Sequence, residues 1–112
     1  MNVLNRTNQQ MKSEVEVLIY SILSAIPKGQ VASYGQVANF ARLPKGARLI
    51  GRILSRLPPE TTLPWHRVLK ANGQIAFAPD SSAYHRQKQL LELEGIKVSQ
   101  GKVDLRLFGW RD

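Results

Sequence analysis

The chain contains no cysteine. That absence excludes disulfides, cysteine-ligated metal centres and thiol catalysis together. Only two histidines are present, His66 and His85, too few for a histidine-rich metal site, so neither a metal nor another cofactor is expected. Acidic residues are scarce: 8 Asp and Glu stand against 16 Lys and Arg, giving a formal charge of +8 on 112 residues. That excess, with a pI near 10.3, fits a protein that meets a polyanion, either nucleic acid or an anionic membrane surface. Long apolar runs are missing too, and none approaches the ~20 residues of a membrane-spanning helix. Met1 to Lys12 is polar and lacks the apolar stretch of a signal peptide. The expectations are a cytoplasmic protein with no membrane partner, a flexible tail over residues 1–12 and a single domain over 13–112. A hydrophobic content of 43% is enough to give such a domain a core.

What is present falls into helices first. Val15, Leu18, Ile19, Ile22, Leu23 and Ile26 recur at helical spacing and predict a helix from about Glu14, with Ser13 and Glu16 as a capping box and Pro27 and Gly29 as its stop. Residues Gln30 to Ala32 read as briefly extended. A second capping pair, Ser33 and Gln36, opens a short helix over Tyr34 to Ala41. Leu43-Pro44-Lys45-Gly46 breaks the chain, and a third helix over Ala47 to Leu57 stops at Pro58-Pro59. Two short helices about a tight break are the sequence form of a helix-turn-helix. Asn72-Gly73 between extended segments then predicts a β-hairpin, which in this position would be a wing. A last helix is predicted over Ala83 to Glu94, started by Ser81 or Ser82 and stopped by Gly95. The segment from Ile96 to Leu107 alternates only weakly.

The third helix carries the clearest functional pattern. On a helical wheel Ile50, Ile53, Leu54 and Leu57 gather on one side, and Lys45, Arg48, Arg52 and Arg56 on the other. Ala47, Gly51 and Ser55 form a ridge of small residues between them. Small residues allow a close approach of the helix backbone, and a cationic edge beside them suits a DNA groove. The helix N-terminus adds free N–H groups for phosphate. An ordinary solvated basic face has the same composition.

Pro64-Trp65-His66-Arg67-Val68 resembles the Pro-Cys-His-Arg-Val box of the O6-alkylguanine-DNA alkyltransferases. The likeness extends to Gly29 through Ala38 as the first helix of the reading unit, to Lys45-Gly46-Ala47-Arg48-Leu49-Ile50-Gly51 as the recognition helix, and to Leu93-Glu94-Gly95 as the closing Glu-Gly. It implies a mainly α fold with a small β hairpin, winged helix-turn-helix-like, similar to the family's C-terminal DNA-binding domain. The departure is Trp65, at the position of the reactive cysteine. In the family, the histidine and glutamate matching His66 and Glu94 help to deprotonate that thiol. An indole offers only an N–H donor and a π-face, so no alkyl group can be accepted there.

The chain therefore resembles the non-enzymatic, alkyltransferase-like branch of the family. That resemblance implies a monomer that binds O6-alkylguanine in duplex DNA from the minor groove, turns the damaged nucleotide into a pocket, and hands the lesion to nucleotide excision repair proteins. Matching positions carry the expected roles. Arg48 enters the base stack, Tyr34 pushes the phosphate of the turned nucleotide, Trp65 lines the pocket, and Ala47 and Gly51 permit the close approach. Lys45, Arg52 and Arg67 are expected at phosphates from charge and placement. His66 and Glu94 are expected to support the pocket floor. Tyr34 and Trp65 are also readable as core aromatics, His85 as a surface helix residue and Trp110 as packing.

Two further departures alter the expected pocket: Leu57 in place of a hinge asparagine, and Ala76-Phe77-Ala78-Pro79-Asp80 in place of a more polar wall. Two other functions compete. One is a winged helix-turn-helix regulator of undamaged DNA. The other is a base-excising enzyme using His66 and Glu94.

Overall fold

The computed structural model describes residues 7–111. Helix α1 spans Asn8–Ala25, six residues earlier at its start than the apolar stripe predicts. The cause is a capping box six residues further out. The Thr7 hydroxyl accepts from the Gln10 amide at 3.1 Å, while the Thr7 amide donates to Gln10 Oε1 at 2.8 Å. Residues 8–12, expected in a flexible tail, are therefore helical, and residues 1–6 lie outside the described part. Ser13 and Glu16 fall inside the helix rather than at its cap. The Glu16 carboxylate instead accepts from the Tyr20 hydroxyl at 3.1 Å. The buried stripe is narrower than predicted: Ile19 and Leu23 are fully buried, whereas Leu18 is 44% exposed.

The chain then forms β1 (Ala32–Ser33), α2 (Tyr34–Phe40) and α3 (Ala47–Ser55). Ser33 caps α2 by accepting from the Gln36 amide at 3.0 Å, as its sequence predicts. The Gln36 side chain does not return to the cap. Its Nε2 donates to the Trp110 carbonyl at 2.9 Å and ties α2 to the C-terminal segment. Between α2 and α3, Arg42 and Lys45 adopt positive φ. A Cβ on Gly46 would sit 2.6 Å from the Leu43 carbonyl and 3.4 Å from the Ala38 Cβ. Glycine is thus what lets the turn close against α2.

After α3 a single 3-10 turn, Trp65–Arg67, leads into β2 (Val68–Leu69). The predicted hairpin is corrected here. Its turn exists, with Gly73 at φ +90° and the Lys70 amide donating to the Gln74 carbonyl at 2.9 Å. Its arms do not pair with one another. Val68 and Leu69 pair in parallel with Ala32 and Ser33, and Gln74 bridges Lys102 instead. The small sheet of this mainly helical fold is therefore a parallel pair. Helix α4 (Ser82–Leu93) is capped by Ser81, which accepts from the Tyr84 amide, and it ends before Gly95 at φ +81°. The weakly alternating segment buries Ile96, Val98 and Val103 and ends in a short helix, α5 (Leu105–Phe108), that its pattern does not predict.

Two buried clusters share the parallel pair. Ala32 and Val68 belong to the cluster built with Ile19, Leu23, Val37, Ile50 and Ile53. Val31 and Leu69 belong to the one built with Ile75, Leu91, Ile96 and Val103. Alternation along an extended strand sends successive side chains to opposite faces, so this short ladder serves two cores. The helix-turn-helix grows from the first cluster and α4 from the second, with the Trp65 turn between them. No described helix is long and apolar enough to cross a membrane.

Candidate nucleic-acid interface

Helix α3 buries Ile50 and Ile53 in the first core, and its opposite face is open. Lys45, Arg48, Arg52 and Arg56 are all exposed. Among the described residues none of the four makes an ion pair. Arg48, Gly51, Arg52 and Ser55 together line a shallow groove along the helix. A Cβ added to Gly51 would meet nothing within 4 Å, so packing inside the protein does not require glycine there. A helical glycine costs about 1 kcal/mol relative to alanine. The groove is thus left smooth at the expense of helix stability. Gly46 caps α3 without a side-chain hydrogen bond, so the first amides of the helix remain free beside Lys45 and Arg48.

The second feature is a cleft of about 610 Å³ lined by Trp65, Phe77, Leu57, Pro58, Ser55 and Arg86, among others. Trp65 is half-buried, and its indole meets the Phe77 ring edge-on at 6.4 Å between centroids. Ser55 of the α3 ridge also lines this cleft, so the groove and the cleft share a wall. Leu57, the residue in the hinge position, contributes apolar surface to it. Tyr34, the first residue of α2, packs its ring on the first core. Burial pushes its phenol above the ordinary tyrosine value. Its hydroxyl has no hydrogen-bond partner among the described residues.

Behind Trp65 lies a polar clamp. Glu94, at the end of α4, accepts from His66 Nε2 at 2.6 Å, from the Gly29 amide at 2.9 Å, and from Arg67 Nη2 at 2.8 Å and Nε at 3.0 Å. Arg67 Nη1 donates to the Ile26 carbonyl at 2.8 Å. Burial alone would raise the Glu94 pKa. The bonds from Arg67, Gly29 and His66 outweigh it and lower the value from 4.5 to about 2. His66 and Glu94, expected as support for the pocket floor, bond to each other beside Trp65 and do not line the cleft itself. Arg67 does not stand where it was expected. All three guanidinium nitrogens are turned inward and its side chain is only 15% exposed, which corrects its assignment as a phosphate contact.

Two residues that sequence reasoning passed over complete the site. Gln87 of α4, 1% exposed, donates from Nε2 to the carbonyls of His66 and Val68 at 2.9 and 3.0 Å, which locks α4 to the segment carrying Trp65. Arg86, its neighbour, lines the Trp65 cleft. Neither has a local signature, because the cleft is assembled from three separated segments. His85 is exposed on α4, and Trp110 packs on Phe40 at 5.0 Å. Among the described residues no group of three or more His, Asp or Glu side chains gathers that would hold a metal ion.

Comparison with known proteins places this geometry. The family model described as the 6-O-methylguanine DNA methyltransferase DNA-binding domain matches residues 14–96. The DNA base-flipping protein of Escherichia coli (strain K12) is 45% identical over 94 residues, spanning 82% of this chain and 70% of that protein. Alkyltransferase-like protein 1 of Schizosaccharomyces pombe is 36% identical over 98 residues, spanning 83% of this chain and 91% of that protein. The crystal structure of S. pombe Atl1 in complex with damaged DNA containing O6-carboxymethylguanine superposes with a TM-score of 0.83 at 34% identity, covering 89% of this chain and 97% of that one.

Proposed function

The chain belongs to the family of the 6-O-methylguanine DNA methyltransferase DNA-binding domain, and from that footing we propose that it is a non-enzymatic reader of O6-alkylguanine in duplex DNA. The observation that carries the proposal is Trp65: an indole lines the cleft beside the α3 groove, in a chain without a single cysteine. Alkyl transfer needs a thiolate to attack the O6-alkyl carbon, and an indole has no lone pair suited to that displacement. What the cleft can do is hold a turned-out base between aromatic and apolar surfaces.

The roles follow from placement. Lys45, Arg52 and the free amides at the start of α3 meet phosphates. Ala47 and Gly51 let the helix backbone close on the groove. Arg48 fills the vacancy in the base stack, which offsets part of the few kcal/mol lost on unpairing and unstacking. Tyr34, with its ring packed and its hydroxyl free, faces the phosphate of the turned nucleotide. His66 and Glu94 keep the Trp65 turn rigid and take no part in proton transfer. The bound lesion is then a signal for nucleotide excision repair proteins, a role supported by resemblance to the alkyltransferase-like branch.

The test is a binding titration on matched duplexes with and without one O6-methylguanine, followed by intact-protein mass measurement after long incubation. Preference for the lesion, with no mass gain and the lesion still in the strand, is the expected result. Equal affinity for both duplexes would instead favour a regulator of undamaged DNA. An alkylated protein, or disappearance of the lesion, would refute the non-enzymatic assignment.

A further inference from the structure

Arg86 lies in the fifth position of α4 and, among the described residues, is the one charged side chain lining the Trp65–Phe77 cleft. It is exposed, and among the described residues it makes no ion pair and no hydrogen bond through its side chain. The contrast with Arg67, whose guanidinium is fully occupied inside the clamp, is direct. Nor is Arg86 on a loose element. Its neighbour Gln87 is bonded to the carbonyls of His66 and Val68 at 2.9 and 3.0 Å, on either side of Arg67. The backbone that carries Arg86 is therefore fixed to the same short segment that carries Trp65.

A cation held at the rim of an apolar cleft has a definite chemistry. Leu54, Leu57, Pro58, Pro59, Trp65 and Phe77 make most of the wall apolar, and its other polar groups, the indole N–H and the hydroxyls of Ser55, Thr61 and Ser82, are all neutral. Arg86 supplies the cationic contact that these neutral groups do not. Its planar fork matches a carboxylate through two parallel hydrogen bonds, and the adjoining apolar wall weakens the screening of the charge by solvent. An apolar substituent of the same size gains only contact with the aromatic wall.

We propose that Arg86 sets the substituent preference of this pocket, favouring O6 groups that carry an acceptor, a carboxylate above all, over apolar groups of equal size. The inference rests on the lesion-reading function proposed above and deepens it.

The experiment uses the whole chain and three duplexes that differ at one base: guanine, O6-carboxymethylguanine and O6-(2-methylpropyl)guanine. The two lesions carry substituents with equal numbers of heavy atoms, one anionic and one neutral. The readout is the ratio of their affinities, compared between the unaltered chain and its variants. Arg86→Gln should lower the ratio by about tenfold, the size of a charge-assisted hydrogen bond at a half-open site, while affinity for the neutral lesion stays within about twofold. Arg86→Lys should retain part of the preference, since it keeps the charge and loses the fork.

If Arg86→Gln weakens all three duplexes equally, Arg86 is a phosphate contact and the inference is overturned. An unchanged ratio overturns it as well. Failure of the unaltered chain to distinguish either lesion from guanine would remove the lesion-reading proposal itself, a result separable from the other two.

Discussion

Arg67 and Arg52 are the same residue type, fifteen positions apart in one chain, and they have opposite surroundings. Arg67 is enclosed by Glu94, His66 and the Ile26 carbonyl, with each of its nitrogens bonded. Arg52 stands exposed on α3 with Arg48 and Arg56, without an ionic partner among the described residues. The first arrangement joins the end of α1, the Trp65 turn and the end of α4. The second leaves charge available for a polyanion. A count of basic residues merges the two. Geometry separates charge that holds the protein together from charge that is free to bind.

The sharpest way to break the comparison is to remove one guanidinium from each region. Arg67→Met leaves the Glu94 carboxylate and the Ile26 carbonyl without their main donors. Breaking a buried pair in this way costs about 3–5 kcal/mol, a large share of the roughly 5–15 kcal/mol that holds a domain folded. Arg52→Met should change stability by less than about 0.5 kcal/mol. In DNA binding the order reverses. Arg52→Met should reduce the slope of log affinity against log salt by about 0.9, as loss of one phosphate contact does, whereas a folded Arg67 variant should keep the slope. Urea denaturation and a salt series of titrations measure the two halves. Equal loss of stability in both variants would erase the distinction.

Acid provides the next largest effect and, of the two regions compared, acts on the clamp. Glu94 titrates near 2 in the folded chain against an ordinary 4.5. A carboxylate with a depressed folded pKa contributes stability that is fully present above the unfolded value and disappears as pH falls toward the folded one. The window is therefore from about pH 5 down to about pH 2, and the shift corresponds to about 3 kcal/mol. Urea midpoints measured across that window should fall steeply. In Glu94→Gln the starting stability should be lower and the dependence on pH much flatter. A Glu94→Gln chain that loses as much stability in acid as the unaltered one would show that another group governs the titration.

Within the free region, Arg48 and Arg52 can be separated from each other. Lysine keeps charge and discards the plane that stacks between bases. Arg48→Lys should bind plain duplex almost as well as the unaltered chain and lose about tenfold in lesion preference, the order of a single stacking contact. Arg52→Lys should leave both nearly unchanged. Fluorescence of 2-aminopurine beside the lesion reports the turned-out base directly. Identical behaviour of the two variants would reduce Arg48 to another phosphate contact.

The same contrast explains how much of the molecule is legible in its sequence. Local patterns carry α2, α3 and α4 nearly to their ends, because apolar periodicity, the Ser33 and Ser81 caps and the Pro58-Pro59 stop are short-range signals. They miss the start of α1, since residues 8–12 are exposed and show no apolar stripe. Only Thr7 and Gln10 mark that start. They also misplace the wing. The Asn72-Gly73 turn forms as its chemistry dictates, but Val68 and Leu69 are taken by a strand 36 residues away and are buried in one core each. Arg67 reads as a DNA contact from its charge and its place in the chain, because its partner Glu94 lies 27 residues further on. Arg86 and Gln87 are hidden for the same reason. Patterns identify what lies next to a residue along the chain, and the site depends on what lies across from it.

The smallest expected effect tests the groove itself, at Gly51. Alanine there would have a Cβ with nothing within 4 Å, so the folded protein has room for it. Removing a helical glycine lowers the entropy of the unfolded chain, and Gly51→Ala should stabilise the protein by about 1 kcal/mol. For a domain of this size that is a rise of roughly 4 °C or more in Tm. If the groove of Arg48, Gly51, Arg52 and Ser55 is where DNA backbone approaches α3, the added methyl group should also hold the two surfaces apart. Affinity for lesion-bearing duplex should then fall by a few-fold, even though the variant is more stable and its charge is the same. The opposite signs are what give the test its force, because a misfolded or weakened variant cannot produce both. Thermal melting and one titration suffice. A Gly51→Ala chain that melts higher and binds DNA as tightly as before would show that the smooth groove along α3 does not face the duplex, and that the small-residue ridge has been assigned to the wrong surface.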